Sequence, residues 1–345
     1  MAQYSLYRTY RPRTFSDVQG QSHVTEPLIA QIQTKKHGHA YLFAGSRGLG
    51  KTSVARIFAQ EVGCHGNDLY EIDAASNNSV DDIRTLTENV YTLPFASPYK
   101  VYILDEVHML SKAAWNAFLK TLEEPPAHAI FILATTELPK VPETVQSRCQ
   151  VFEFKRPSRE ALSKVVTQVA SKEGYTIAGD ASNLIALLAE GSYRDALSIL
   201  QRVLTAVSHR ALSRENVEMI TGAPKSSLIY DVISALAQGS AEQAYVAIKA
   251  AQKNGTDMKL FLTLLLEALR FVLLLRYAPE LKKQLQEELG EDAYTALAIY
   301  ANEKTPGITH NTLLAFLTAV QRMRFTPIPT LPLELAVLEA TNTIN

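Results

Sequence analysis

The sequence is poor in cysteine, in net charge and in long apolar runs, and each shortage excludes a class of protein. Only two cysteines, Cys64 and Cys149, occur in 345 residues, which argues against a disulfide scaffold and fits a reducing cytosol. Lys and Arg number 34 against 35 Asp and Glu, a net charge of −1. No global basic footprint of a solitary DNA-binding domain is therefore present, and any nucleic-acid contact has to come from a local patch or be shared among subunits. The greasiest stretch, Phe261 to Tyr277, is interrupted by Glu267 and Arg270 and repeats at helical spacing, so it reads as a buried packing helix and not as a membrane span. The opening MAQYSLYRTYRPR has no apolar core and is no secretory signal. There is no low-complexity or proline-rich tail.

What is there begins with Gly45-Ser46-Arg47-Gly48-Leu49-Gly50-Lys51-Thr52, a full match to G-x-x-x-x-G-K-[ST]. It follows a strand-like run, Ala40 to Ala44, and leads into a helix-like run from Thr52. In that setting glycines let backbone N–H groups curl around phosphate oxygens, and the helix adds its positive end. Lys51 is then expected at the β- and γ-phosphates of ATP and the Thr52 hydroxyl on Mg²⁺. A second apolar run, Val101 to Leu104, ends in Asp105-Glu106, at the ligand-binding edge of a parallel sheet. Asp105 suits the Mg²⁺ shell and Glu106 a general base that orients and deprotonates water. A third run, Ala129 to Ala134, ends in Thr135-Thr136, where a hydroxyl could meet the γ-phosphate or the attacking water, or serve as a turn residue. Ser147-Arg148-Cys149 follows; one arginine near a strand is ordinarily a solvated charge.

Taken in order, Gly45–Thr52, DEVHML (Asp105–Leu110), NAFLKTLEEPP (Asn116–Pro126), ILATTE (Ile132–Glu137) and SRC (Ser147–Cys149) resemble the AAA+ ATPase subunits of clamp loaders. YRTYRPRTFSDVQGQ (Tyr7–Gln21), EIDAASNN (Glu71–Asn78) and GSYRDALSIL (Gly191–Leu200) bring the resemblance closer, to the gamma/tau family of bacterial DNA polymerase III. It is strongest from residue 4 to about 222. The resemblance implies that Thr136 is the sensor 1 position, that Arg148 is an arginine finger acting in trans on ATP held by a neighbour, and that Arg194 is sensor 2, reaching the nucleotide in cis. Each arginine would stabilise transition-state charge. Arg11 and Val18 in the opening block are assigned to the nucleotide, and Arg84 and Lys112 match positions that face the DNA backbone in relatives, although an ordinary exposed charge is nearly as good a reading of each.

The fold expected is α/β, an AAA+ P-loop NTPase with a parallel sheet over residues 1–157, then a small helical lid over 158–222 and an all-α collar over 223–345. The alternation of strand-like and helix-like runs, the possible N-cap Ser158 with Glu160 in the first turn, and helices broken at Gly239-Ser240, Asn254-Gly255 and Pro279 support it. Three departures from the family stand out. The usual four-cysteine zinc module is reduced to Cys64 and His65, too few ligands for a structural site, so no zinc is expected. Gln19 stands where an apolar residue lines the adenine pocket. Asn77, Asn78 and Ser79 replace positions that are often basic, so their DNA contacts should be neutral hydrogen bonds. The resemblance implies a cytoplasmic ATPase that closes the sliding beta clamp on primer–template DNA, in a pentamer with copies of itself and with delta- and delta′-type subunits, away from any membrane. Because the chain stops at Asn345, the helicase and polymerase contacts of longer relatives are expected to be missing. A non-hydrolysing structural subunit, or another AAA+ motor such as a branch-migration helicase, is the alternative.

Overall fold

Runs of uninterrupted apolar residues become the centre of a parallel sheet because strands covered on both faces have no solvent side to alternate toward. The structure, a computed structural model, describes residues 5–301 and 307–342. Its strands β1 (Ala40–Ala44), β2 (Leu69–Asp73), β3 (Lys100–Asp105), β4 (Ala129–Thr135) and β5 (Gln150–Glu153) lie in the order β2-β3-β4-β1-β5, every neighbouring pair parallel. The three central strands are the apolar runs read from the sequence. β5 lies at an edge, opposite β2, and most of its residues face solvent.

Alternation along each strand sends side chains to two separate cores. Leu42, Tyr102, Leu104, Phe131 and Leu133 face one side and pack with Ile83, Leu86, Trp115 and Phe118. Tyr41, Phe43, Val101, Ile103, Ile130 and Ile132 face the other and pack with Val24, Leu28, Val54 and Phe58. The helices that supply these partners are α2 (Ser22–Gln33), α3 (Lys51–Glu61), α4 (Val80–Val90) and α5 (Lys112–Glu123), with the short α1 (Leu6–Thr9) before them and α6 (Glu143–Gln146) after. The result is a helix–sheet–helix sandwich whose central strands all end at one edge, with Ala44 opposite Thr135 and Asp73 opposite Asp105.

The chain forms two compact units, one holding residues through Leu162 with Ala189–Ser198, the other Ser163–Leu188 with Ile199 onward. Helices α7 (Arg159–Lys172), α8 (Gly179–Leu188), α9 (Tyr193–Ala206) and α10 (Arg214–Thr221) follow the sheet, and the two-residue strands β6 (Thr176–Ile177) and β7 (Ala211–Leu212) pair with each other. Ser158 does cap α7, its hydroxyl accepting from the Ala161 N–H at 3.1 Å. The second unit continues as helices α11 (Ser226–Ala237), α12 (Ala241–Lys253), α13 (Met258–Tyr277), α14 (Lys282–Leu289), α15 (Glu291–Ala301), α16 (His310–Arg322) and α17 (Leu331–Asn342), broken where glycine, asparagine and proline foretell it. α13 is the greasy segment: Asp257 caps its start, Phe261, Leu265, Leu269 and Val272 are buried, and Arg276 near its end donates to the Tyr300 and Ile308 carbonyls at 2.7 and 2.6 Å. Among the described residues no helix is long and apolar enough to cross a membrane.

Candidate functional site

The loop after β1 turns back on itself through glycines with positive φ. At Gly48 (φ +78) a Cβ would lie 2.0 Å from the Ser192 hydroxyl, so a side chain there would drive apart the loop and the turn before α9. At Gly50 (φ +99), the residue capping α3, a Cβ would meet no atom within 4 Å, and no side chain caps the first turn of α3. Leu49 points into the core and anchors the loop, whereas Arg47 faces solvent. The Lys51 side chain is buried, and its ammonium donates to the Gly45 and Ser46 carbonyls at 2.5 and 3.0 Å. Burial pushes it below the usual lysine range, and the carboxylates of Glu106 and Asp105 pull it back. A buried cation, an uncapped helix N-terminus and a glycine with open space before it form a donor set that fits a triphosphate.

Thr52 and Asp105 meet directly, the Thr52 hydroxyl donating to Asp105 Oδ2 at 2.8 Å. One hydroxyl and one carboxylate suit Mg²⁺, which keeps most of its shell for water and phosphate. Glu106, the next residue, has φ +50 and ψ +44, a left-handed conformation that costs a non-glycine residue energy and persists where surrounding contacts over-determine it. Those contacts are present. Glu106 Oε2 accepts from the Thr136 hydroxyl at 2.9 Å and from the Thr136 N–H at 3.3 Å. His108, within the DEVHML segment, closes the cluster. Its Nδ1 lies 3.4 Å from Glu106 Oε2 and 3.2 Å from the Thr135 hydroxyl, and its Nε2 lies 3.5 Å from Glu137 Oε1.

Three arginines border the loop. Arg11 donates from Nε to the Ser53 hydroxyl at 2.9 Å, which sets it beside the first turn of α3. Arg194 enters from α9, its Cβ 3.3 Å from where a Gly48 Cβ would stand. Arg156, unassigned from the sequence, donates from Nε to the Ser46 hydroxyl at 3.2 Å and lays its stem over Gly191. Val18 is half-buried against the core behind α3. The Gln19 side chain is exposed, and the Gln19 carbonyl accepts from the Tyr193 hydroxyl at 3.2 Å.

Other assigned residues are not brought to this group. Arg148 stands just before the edge strand β5, ion-paired with Glu123, its Nη1 donating to the Thr144 carbonyl at 2.6 Å. Arg84 pairs with Asp81 at 3.1 Å on the exposed face of α4, and Lys112 is exposed at the start of α5. Asn77 and Ser79 serve the local backbone: the Asn77 amide donates to the Asp73 carbonyl at 3.0 Å, and Ser79 caps α4. Cys64 is buried in the core while His65 faces solvent. Burial raises both thiols, Cys149 to about 12. Among the described residues no three His, Cys, Asp or Glu side chains converge to hold a metal.

Residues 20–78 and 65–158 match the family described as DNA polymerase III, delta subunit, and residues 212–344 match DNA polymerase III subunits gamma and tau domain III. The DNA polymerase III subunit tau of Bacillus subtilis is 37% identical over 99% of this chain and 64% of its own length. The gamma/tau subunit of Mycoplasma pneumoniae is 38% identical over 74% of this chain and 41% of its own length, and the tau subunit of Escherichia coli 36% over 79% and 46%. The chain thus spans less than two-thirds of the length of these relatives. Among solved structures, the RuvB Holliday junction branch migration motor of Thermotoga maritima shares the fold, with a TM-score of 0.55 at 19% identity, covering 92% of this chain and 99% of that one.

Proposed function

Since the chain belongs to the gamma/tau family of DNA polymerase III subunits, a family with the AAA+ ATPase fold that implies nucleotide and divalent-metal binding, we propose that it is an ATP-hydrolysing motor subunit of a sliding-clamp loader. The observation that carries the reading is the set Lys51, Thr52, Asp105, Glu106 and Thr136 gathered at one edge of one sheet. Lys51 and the N–H groups opening α3 bind the triphosphate. Thr52 and Asp105 are the residues that would hold Mg²⁺, which would neutralise phosphate charge there. Glu106 accepts the proton of the water that attacks the γ-phosphate, and Thr136 fixes the carboxylate for that task. Arg194 and Arg11 approach the phosphates in cis.

Arg148 acts in trans. Its place before an edge strand, paired with Glu123 and apart from the loop, supports service to a neighbour's nucleotide. The match of residues 212–344 to gamma and tau domain III supports assembly through the helical region, with residues 1–157, 158–222 and 223–345 as nucleotide-binding, lid and collar domains. The partners in this reading are copies of this chain and delta- and delta′-type subunits in a pentamer, the beta clamp, and primer–template DNA.

Two variants test the chemistry. Lys51→Ala is expected to abolish ATP binding, and Glu106→Gln to keep binding while lowering phosphate release by about 10²–10⁴-fold, because only the base is lost. A Glu106→Gln chain that releases phosphate at the parent rate refutes the base assignment. A parent chain that binds ATP and releases no phosphate in any assembly points instead to a structural subunit.

A further inference from the structure

Arg194 does not rest on the phosphate loop alone. Its guanidinium carbon lies 4.7 Å from the centre of the Tyr7 ring, within the range at which an aromatic face holds a cation. Tyr7 sits half-buried in α1 beside the buried Leu6, and the Arg8 guanidinium lies 5.9 Å from the same ring. The other end of Arg194 is fixed as well. The backbone N–H of Tyr193 donates to the Gly48 carbonyl at 3.2 Å, and the Tyr193 hydroxyl donates to the Gln19 carbonyl at 3.2 Å. The backbone of Arg194 is therefore docked on the phosphate loop while its long side chain is steadied by a residue of the opening helix.

We propose that Tyr7 is a positioning residue for Arg194: its ring holds the guanidinium within reach of the triphosphate before nucleotide binds. This deepens the reading of Arg194 as a nucleotide-contacting arginine and rests on it. A free arginine side chain samples many rotamers, and one that must be ordered during the reaction contributes less to the transition state than one already in place. The opening helix thereby becomes part of the ATP site, although no part of it matches the phosphate-loop pattern.

The test is a double-mutant cycle on the full chain, reading ATP affinity by equilibrium titration and hydrolysis by single turnover in the assembled loader. Tyr7→Leu is expected to slow hydrolysis about fivefold to twentyfold, the cost of ordering one long side chain, while ATP affinity moves less than about threefold. Tyr7→Phe, which keeps the ring, is expected to recover most of the rate. In an Arg194→Ala background, Tyr7→Leu should have no further effect, since its action runs through the arginine. If Tyr7→Leu slows both backgrounds equally, or matches the parent, the Tyr7 proposal is overturned alone. If Arg194→Ala itself hydrolyses ATP like the parent, the reading of Arg194 fails and takes the proposal with it.

Discussion

Asp68 shows how much a single buried carboxylate can organise. Its side chain is 1% exposed, and it accepts the backbone N–H groups of Phe95, Ala96 and Ser97 at 2.6 to 2.9 Å. Burial alone would raise its pKa, but these donors outweigh burial and hold it at about 2. The folded value lies below the unfolded one, so the stability it contributes is present above the ordinary carboxylate pKa and is lost as the pH falls from about 4 toward 2. Asp68→Asn keeps the shape and removes the charge, at a cost of about 2 kcal/mol, or ~4–8 °C in Tm. Thermal unfolding followed across pH is the check: the variant should lose stability near neutral pH and less of it below pH 4, and an unchanged Tm at pH 7 would contradict the assignment. Of the side chains gathered at the sheet edge, those in fixed-spacing motifs were legible in the sequence: Lys51, Thr52, Asp105 and Glu106. Tyr7, His108 and Arg156 were not. Tyr7 meets Arg194 and Arg156 meets Ser46 across more than a hundred residues of chain, and a tyrosine or arginine in isolation reads as well as surface or core. His108 carried a signal, its place three residues after Asp105, that chemistry at that position could have exposed.

At the scale of elements, β1, β3 and β4 were readable because they are buried on both faces, and α7 and the helices of the second unit because capping and glycine breaks punctuate them. β5 was not picked out, since an edge strand of four residues with mostly exposed side chains has no apolar run to betray it. The pairing of α4 with α5 was likewise hidden, as it depends on Ile83, Leu86, Trp115 and Phe118 converging under the sheet. In the proposed function that pairing bears on the DNA contact. It sets Arg84 and Lys112 on adjacent helices, and the exposed Arg84–Asp81 pair is too weak to keep a phosphate away. Replacing both Arg84 and Lys112 with alanine is expected to weaken primer–template binding by the assembled loader and to lower its salt slope by about two, with no change in base preference. Fluorescence titrations over a range of salt concentrations measure this, and an unchanged slope would remove both residues from the DNA contact.

For the whole molecule, the match to gamma/tau subunits and the position of Arg148, paired with Glu123 apart from the phosphate loop, support the proposed reading, in which the chain carries the cis residues and Arg148 serves a neighbour. Composition and length were silent on this. A net charge of −1 says only that the chain has no global basic footprint, which leaves a local patch or a load shared among subunits. In the proposed function ATP is hydrolysed at junctions between subunits, and complementation between two variants reads this out. Arg148→Ala should leave ATP binding by the single chain nearly intact while lowering hydrolysis stimulated by DNA and clamp in the assembly by about a hundredfold or more, as expected for loss of a transition-state arginine. Lys51→Ala should fail for lack of nucleotide. Assemblies that mix the two contain junctions with a working arginine facing a working phosphate loop, and the phosphate-release rate of such mixtures is the deciding measurement: a rate well above that of either variant alone is expected, and an Arg148→Ala assembly as fast as the parent, with no gain on mixing, rules out hydrolysis at shared junctions.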